Sequence, residues 1–342
     1  MDRDTSLIAH DLRDTSAPDR NLALELVRVT EAAALAAARW VGRGDKEEAD
    51  QAAVDAMRFT LQAVPMDGIV VIGEGEKDEA PMLYNGEQIG DGSPPEVDVA
   101  VDPLEGTRLT ARGMPSALAV VALAERGSMF DPGPCVYMEK MAGASDIADL
   151  LDLDRPLKET LALVAQRRGV GIGDVMVVVL DRPRHEEAIA AIRAAGARVR
   201  LISDGDVSGA LLAVSDRTPV DLLYGIGGTP EGVISAAAIK CTGGELVGRL
   251  WPRDDAERKA ALDAGYDLDR QLTTGDLVRS DHCFFSATGV TDGDMLQGVR
   301  YQGSAGASTE SLVMRSRSGT VRRVAAAHDR SKLRVVTGER FG

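Results

Sequence analysis

A short acidic segment, Asp102–Thr107, combines residue types whose spacing suits metal-assisted chemistry. It reads D-P-L-E-G-T, and residues 97–101 before it alternate with the period of a β-strand. Pro103 cannot donate a hydrogen bond to a neighbouring strand, so we expect the strand to stop there. Asp102 and Glu105 would then lie beside a strand end, as carboxylate ligands that Mg²⁺ and Mn²⁺ accept. A plain acidic turn at the surface is the alternative.

Further acidic residues stand at the ends of predicted helices and strands, most of them beside glycine or proline. They are Asp45, Asp50, Glu74, Glu76, Asp78 and Glu231. Any one of them alone is typical of a solvated surface. Together they indicate a single cleft that binds divalent cations.

Glu231 follows a Gly-Gly-Thr-Pro sequence that predicts the start of a helix. Thr229 is a good N-cap, and Pro230 fits the first helical position. Free N–H groups there would bind a phosphate, and Glu231 could reach a cation held by that phosphate. A capped helix after a buried strand explains the same residues without a ligand. A dinucleotide-binding fold is disfavoured, because Gly225-x-Gly227 lacks the third glycine of that fingerprint.

Two other turns contain groups that recognise phosphorylated sugars. Arg182 and Arg184 flank a proline after a predicted strand, where their guanidinium groups can clamp a phosphate bidentately. The Asp204-Gly205-Asp206 turn offers carboxylates that accept hydrogen bonds from sugar hydroxyls. Both segments are also compatible with ordinary surface turns.

The alternation of predicted strands and helices indicates an α/β second half. The expected helices lie near residues 18–42, 45–64, 157–167, 185–195, 207–214 and 233–240. The expected strands lie near residues 69–72, 97–102, 117–124, 175–180, 199–202, 221–224 and 283–287, with a hairpin over 312–325. We expect most metal ligands in a lobe over 18–150 and the sugar-phosphate-binding loops in a lobe over 151–333. Residues 1–17 are expected to be a disordered tail, and 334–342 a second tail.

The composition limits the partners of this chain. Its 342 residues include 54 acidic and 39 basic side chains, a formal net charge of −15. So acidic a protein disfavours nucleic acid and anionic membranes, whereas carboxylates loaded with divalent cations would attract a phosphorylated small molecule. The sequence shows no apolar run long enough to span a membrane and no signal-peptide core. Three widely spaced cysteines predict reduced thiols and a cytoplasmic location.

Several blocks of this sequence resemble those of a known family. Residues 102–107 are similar to the signature of the lithium-sensitive, metal-dependent phosphatase superfamily, and Ile72-Gly73-Glu74 to its upstream glutamate element. The finer resemblance, from Asp19 to Leu333, is to class II fructose-1,6-bisphosphatases of the GlpX type. Its blocks are GRGDK at 42–46, AD at 49–50, IGEGE at 72–76, EAPMLY at 79–84, YMEK at 137–140, PRH at 183–185, DGD at 204–206, YGIGG at 224–228 and PEG at 230–232.

The resemblance implies a role for each site residue. Asp50 and Glu74 would hold one divalent cation, and Asp102, Glu105 and Glu231 a second. Glu105, Gly106 and Thr107 would contact the reacting phosphate, with Lys46 and Asp78 as accessory catalytic residues. The rest of the sugar bisphosphate would be bound by Tyr137, Arg182, Pro183, Arg184, Asp204, Gly205, Asp206 and Gly228. Many family members have lysine where Arg182 stands, so its role would differ in detail.

The resemblance also implies an activity and an architecture. The activity would be that of a phosphoric monoester hydrolase, which converts D-fructose 1,6-bisphosphate to D-fructose 6-phosphate and phosphate in gluconeogenesis. The cofactor would be Mg²⁺ or Mn²⁺, with two or more ions per site. The fold would be the layered αβαβα sugar-phosphatase architecture, with an α+β first half, an α/β second half and the cleft between them. We also expect a homo-oligomer, a dimer or a tetramer.

Three alternative functions stay open. Two are other phosphatases, a sedoheptulose-1,7-bisphosphatase and an inositol-type monophosphatase. The third is a non-catalytic sugar-phosphate sensor, which the intact acidic set and Thr107 disfavour. The paired Arg182 and Arg184 favour a bisphosphate, since a second phosphate needs its own anchor.

Overall fold

The computed structural model describes residues 22–75, 82–303 and 306–329, and both predicted tails, Glu76 and Asp78 lie outside these ranges. The helices are α1 (Leu22–Ala38), α2 (Lys46–Leu61), α3 (Thr107–Arg112), α4 (Leu157–Arg168), α5 (Glu186–Ala194), α6 (Asp206–Val214), α7 (Thr229–Thr242), α8 (Asp255–Asp263) and α9 (Thr274–Leu277). The strands are β1 (Asp67–Ile72), β2 (Gln88–Ile89), β3 (Glu96–Glu105), β4 (Leu118–Glu125), β5 (Tyr137–Gly143), β6 (Met176–Leu180), β7 (Arg198–Ile202), β8 (Leu222–Gly228), β9 (Glu245–Leu250), β10 (Cys283–Gly289), β11 (Arg300–Tyr301), β12 (Ala307–Arg315) and β13 (Thr320–His328). Within the described ranges, no helix combines the length and the apolar character that crossing a membrane requires.

The described strands form two mixed sheets. The larger sheet has the order β11-β12-β10-β4-β3-β1-β2, and β13 pairs with β12. The smaller sheet has the order β7-β6-β8-β5-β9, in which β6 runs parallel to β7 and β8 while β5 runs antiparallel to β8 and β9. Strand β5, from the first half of the chain, thus belongs to the smaller sheet, whereas β10 to β13, from the second half, belong to the larger sheet. The two lobes expected on either side of residue 150 stay a prediction.

Buried apolar residues arrange these elements in five layers. Helices α1 and α2 cover one face of the larger sheet, where Leu26 is buried with Val99. Helices α6 and α7 lie between the two sheets, where Ala237 is buried with Phe285. Helices α4 and α5 cover the outer face of the smaller sheet, where Val164 is buried. The layers confirm the αβαβα architecture and the α/β fold class expected from the sequence.

The second helix shows how a local signal fixes an element that the site needs. Asp45 precedes α2 in an extended conformation, and its carboxylate accepts the backbone N–H of Glu48 at 3.1 Å. This is the N-cap arrangement that satisfies an otherwise unpaired donor at a helix start. Because the cap fixes where α2 begins, it also fixes the position of Asp50 in the second turn.

The expected end of β3 is wrong, because the strand continues through Pro103 to Glu105. The pairing of β3 with β4 shifts register between Asp102 and Glu105. Within this irregularity the N–H of Leu104 donates to the Asp102 carboxylate at 3.2 Å. A proline at a bulge interrupts the ladder without ending the strand.

The expected start of α7 is also wrong, because Gly228 and not Thr229 occupies the N-cap position. Strand β8 continues further than expected, since its last residue, Gly228, still pairs with Tyr137 of β5. Thr229 becomes the first helical residue, and its N–H donates to the carbonyl of Val136 at 2.8 Å. Among the described residues its buried hydroxyl has no hydrogen-bond partner.

Candidate active site

The five carboxylates expected as metal ligands are brought together by four elements. Asp50 lies on α2, Glu74 directly after β1, Asp102 and Glu105 at the end of β3, and Glu231 in the first turn of α7. Their charges act on one another. Burial is the largest cause that raises the pKa of Glu74, and the charges of Asp50 and Glu231 raise it further. The charge of Glu74 in turn raises the pKa of Asp102. That these distant acids share one cation-binding cleft stays a prediction, which their mutual effects on the pKa values support.

Burial is the main cause of raised pKa values across this acidic cluster. It raises the pKa of Asp50 to about 6, helped by Glu47, and that of Glu74 to about 7. Burial and then the charge of Glu105 raise the pKa of Asp102. Burial and then the charge of Glu231 raise the pKa of Glu105. Carboxyl groups so placed repel one another, and a bound divalent cation would relieve that repulsion.

Glu105 also connects the acidic cluster to the second half of the chain. Its Oε1 accepts the backbone N–H of Val207, in the first turn of α6, at 2.6 Å. Gly205 before this helix has a φ of 97°, a left-handed conformation that favours glycine. The glycine of the Asp-Gly-Asp turn therefore lets the chain enter α6 where Glu105 can meet its first turn.

The two glycines that end β8 leave room for two carboxylates. A Cβ on Gly227 would lie 1.6 Å from Oδ2 of Asp206, and a Cβ on Gly228 would lie 1.7 Å from Oε2 of Glu231. Both acids therefore pack directly against the strand backbone, which explains a paired glycine at this position in physical terms.

A lysine missing from the predicted site, Lys140, lies among these acids with a side chain only 2% exposed. Its Nζ is 2.6 Å from Oδ2 of Asp206 and donates to the carbonyl of Gly228 at 2.8 Å. Burial raises the pKa of Glu231, and the charge of Lys140 opposes that rise. A sequence signal for Lys140 existed, because it occupies the inward-facing phase of β5 together with the buried Met138.

An aromatic and basic wall stands beside the acids. Arg184 donates from Nε and Nη2 to the carbonyl of Ile226 at 2.9 and 2.7 Å, and its guanidinium lies 5.0 Å from the centre of the Tyr137 ring. The Tyr137 ring in turn packs edge-to-face against Trp251, with centroids 6.4 Å apart. The structure thus brings Arg184 and Tyr137 together, and it adds Trp251, which the sequence did not single out.

Arg182 and the Asp-Gly-Asp turn also meet. Arg182 donates from Nη1 to the carbonyl of Ser203 at 2.6 Å, and its Nη2 lies 3.4 Å from Oδ1 of Asp204. Pro183 lies between the two arginines and begins the short 3₁₀ turn Pro183–His185, which contains Arg184. The two predicted anion-binding and sugar-binding turns therefore lie side by side at the ends of β6 and β7.

His185, which the sequence analysis does not assign to the site, supports the segment that holds Arg184. Its Nδ1 donates to the carbonyl of Leu180 at 2.7 Å, and its Nε2 accepts the N–H of Ile226 at 2.7 Å. The ring is buried, which lowers its pKa. A neutral imidazole thus joins the end of β6 to β8, whose Ile226 carbonyl holds Arg184.

The three residues expected to be catalytic have different outcomes. Thr107 is the half-buried first residue of α3, after Gly106, whose φ of 89° lets the chain turn out of β3. Lys46 begins α2, and its side chain is 58% exposed and pairs with Glu47 at 3.0 Å. Its charge opposes the rise in the pKa of Asp50 that burial causes. Asp78 lies outside the described residues.

A cleft of about 340 Å³ opens onto the acids, and its lining includes Glu74, Asp102, Tyr137, Gly228 and Glu231. In the part of the chain that the structure describes, no three acidic, histidine or cysteine side chains are gathered closely enough to hold one ion as they stand. The chemistry of these groups still fits hard divalent cations, because negatively charged carboxylates from several elements line the same cleft.

A layered αβαβα fold with a carboxylate-lined cleft beside paired arginines is that of a metal-dependent sugar phosphatase. The family model described as "Bacterial fructose-1,6-bisphosphatase, glpX-encoded" matches residues 20–328. The chain is 45% identical over 325 residues to "Fructose-1,6-bisphosphatase class 2" of Haemophilus influenzae, which covers 91% of this chain and 96% of that protein. It is also 45% identical over 322 residues to "Fructose-1,6-bisphosphatase 1 class 2" of Escherichia coli strain K12, covering 90% and 95%. The chain therefore belongs to the GlpX-encoded bacterial fructose-1,6-bisphosphatase family, as the sequence resemblance predicted.

Proposed function

We propose that this protein hydrolyses D-fructose 1,6-bisphosphate to D-fructose 6-phosphate and phosphate, a step of gluconeogenesis. The observation that supports this most is the 45% identity, over 90% of the chain, to a protein named as a class 2 fructose-1,6-bisphosphatase. The cleft adds the chemical reason, because carboxylates line it and Arg184 lies over the ring of Tyr137, which also lines it. Hydrolysis of a phosphate monoester needs both charge neutralisation and precise placement of water.

The acidic residues are suited to holding Mg²⁺ or Mn²⁺. We assign Asp50 and Glu74 to one ion and Asp102, Glu105 and Glu231 to a second. When bound, the ions would neutralise the transferring phosphoryl group and stabilise the leaving oxygen. The carboxylates themselves fix where that group can lie, since Glu105 is held by Val207 and Glu231 lies against Gly228.

Thr107 is assigned to the attacking water. Its hydroxyl, polarised by Asp50 or Glu74, would form a hydrogen bond with that water and align it. Gly106 places the hydroxyl at the start of α3, immediately after the carboxylate of Glu105. Because phosphoryl transfer asks the protein mainly for positioning, loss of this one hydroxyl would affect turnover more than binding.

The second phosphate and the sugar are assigned to the wall beside the acids. Arg184 is already held by the Ile226 carbonyl, so little side-chain freedom would be lost when it binds a phosphate. The turn Asp204–Asp206 offers carboxylates to the sugar hydroxyls, and Tyr137 supplies an aromatic face beside Arg184.

Phosphate release from a substrate panel tests this function. We expect the highest kcat/KM for fructose 1,6-bisphosphate with Mg²⁺ or Mn²⁺, lower values for sedoheptulose 1,7-bisphosphate, and very low values for inositol 1-phosphate. A chelator should abolish release, and lithium should inhibit it. A higher kcat/KM for a monophosphate contradicts the proposal. Binding of the bisphosphate without any turnover supports the sensor instead.

We further propose that the protein acts in the cytoplasm as a homo-oligomer. The three cysteines are buried and unbridged, which suits a reducing compartment. Light scattering of the purified protein tests the oligomer, and a monomer at all concentrations contradicts it.

A further inference from the structure

Lys140 contacts the starts of two helices from a third element. It lies in the middle of β5, and its Nζ pairs with Asp206 at the start of α6 at 2.6 Å. The same Nζ donates to the carbonyl of Gly228, before α7, at 2.8 Å. A Cβ on Gly232, in the first turn of α7, would lie 3.9 Å from it. A single ammonium group therefore touches both helices whose first turns contain expected site residues.

The stability of the fold does not explain why this lysine is buried. A side chain that is 2% exposed has lost nearly all its hydration, and in place of that water its ammonium group has the opposite charge of Asp206 and the carbonyl of Gly228. Apolar residues of similar size generally give a folded protein equal or greater stability than a buried ion pair does. The pair at Lys140 is therefore better explained by what it does to the cleft than by stability.

We propose that Lys140 is a positioning residue for the reaction: it aligns Asp206 and Gly228 for the sugar bisphosphate, and its fixed positive charge limits how tightly the neighbouring carboxylates bind divalent cations. The inference rests on the proposed function, because it assigns a role within the same cleft. It needs no movement of the fold, since all the contacts are present in the structure.

The two parts of the role predict effects of opposite sign. Removing the ammonium group frees Asp206 and the end of β8, so binding of the sugar bisphosphate weakens. Removing a positive charge beside the acidic cluster strengthens the attraction of the remaining carboxylates for a cation. Damage to the fold, in contrast, would weaken both kinds of binding together.

The test compares Lys140→Met with a matched control, Lys240→Met. Lys240 lies at the other end of α7 and makes the same kinds of contact, an ion pair with Asp281 at 3.3 Å and a hydrogen bond to the carbonyl of Val278 at 2.9 Å. Calorimetric titration with Mn²⁺ alone gives cation affinity, and steady-state kinetics at saturating Mn²⁺ give KM and kcat for fructose 1,6-bisphosphate. For Lys140→Met we expect Mn²⁺ affinity to increase about tenfold and KM to rise about tenfold with a smaller change in kcat. Lys240→Met should match the wild type in both.

A second variant separates positioning from charge and protects the test against misfolding. Lys140→Met leaves Asp206 buried without its partner, which destabilises a fold. The double variant Lys140→Met with Asp206→Asn removes both charges, so its Mn²⁺ affinity should return close to that of the wild type. Its KM should stay raised, because neither positioning contact is restored.

Two results overturn the inference. One is wild-type Mn²⁺ affinity and KM in Lys140→Met, and the other is a parallel loss of both kinds of binding in Lys140→Met and the double variant. Failure of the proposed function looks different, since the wild-type protein would then release no phosphate from any substrate. The Mn²⁺ titrations would still decide whether Lys140 tunes cation binding.

Discussion

The carboxylate of Glu105 accepts a hydrogen bond of 2.6 Å from the backbone N–H of Val207. Glu105 ends β3 of the larger sheet, and Val207 lies in the first turn of α6, between the two sheets. The same side chain belongs to the acidic cluster and fixes the helix that begins with Asp206. A single contact therefore positions both the acidic cluster and the start of α6.

Glu105→Gln separates these two roles of Glu105. The amide oxygen can still accept the Val207 N–H, so the fold and α6 should persist, while the negative charge is lost. We expect kcat/KM for fructose 1,6-bisphosphate to fall by about 10²–10³-fold, as when a charge-stabilising group is removed from an active site. Mn²⁺ affinity should fall as well, and the melting temperature should stay close to that of the wild type.

Glu245→Gln is the matched control for this variant. The Glu245 carboxylate also accepts a backbone N–H, that of Thr274 at 2.7 Å, but at the start of β9, outside the acidic cluster. Its activity should equal that of the wild type. Equal activity in Glu105→Gln would remove Glu105 from the proposed cation site.

Gly228→Ala tests the close approach of Glu231 to the end of β8. An added Cβ would lie 1.7 Å from Oε2 of Glu231, so the carboxylate must move from its place beside the strand. We expect at least about a tenfold loss of kcat/KM, because small misplacements of positioning groups have large effects on rate. Gly173→Ala is the control, since its nearest atom, the Gly196 carbonyl oxygen, would be 3.7 Å away. Similar activity in both variants would contradict the importance of this contact.

Local signals explain how much of the fold the sequence could predict. Helix α4 and strand β6 lie almost where periodicity placed them, at Leu157–Arg168 and Met176–Leu180. The pairing of Tyr137 with Gly228 could not be predicted in this way, because it joins strands from distant parts of the chain. That pairing extends β8 and places β5 in the smaller sheet. The end of β8 and the sheet to which β5 belongs thus depend on long-range pairing, which periodicity cannot predict.

The candidate site also contains residues that local patterns indicate and residues that only long-range contacts identify. Acidic residues beside glycine or proline, such as Glu105, suggest cation binding from their type and neighbours alone. Lys140 and His185 gain their roles from contacts with Asp206 and Ile226, which lie far away in sequence. No local pattern reveals such partners. A lysine at an inward-facing position of a strand does, however, indicate a buried charge that needs a partner of opposite charge.

Thr107→Ala tests the assignment of the attacking water. Loss of the hydroxyl should lower kcat by about 10²-fold, the usual scale for a positioned proton-transfer or orienting group, and leave KM within a few-fold of the wild type. Thr107→Ser keeps the hydroxyl and should retain most of the activity. Single-turnover kinetics separate the chemical step from product release. Unchanged turnover in the alanine variant would refute the role.

Stability against pH tests His185, whose neutral ring joins β6 to β8. Burial is the largest cause that lowers its pKa from 6.5. A proton on Nε2 would also break the bond from Ile226, where that nitrogen is the acceptor. The unfolded chain therefore binds a proton that the folded protein does not, so the contribution of His185 is present above pH 6.5 and is lost as pH falls through the lowered pKa.

Chemical denaturation of the wild type and of His185→Gln isolates this contribution from that of other titrating groups. At about pH 7.5, one unit above the ordinary histidine pKa, the wild type should be the more stable protein. The difference in unfolding free energy should narrow at about pH 5.5, one unit below, because only the wild type must then keep a histidine unprotonated. The KM for fructose 1,6-bisphosphate should also rise in His185→Gln, since the Ile226 carbonyl that holds Arg184 loses its support. A free-energy difference that is equal at both pH values would show that folding leaves the pKa of His185 unchanged, against the burial and hydrogen bonding described above.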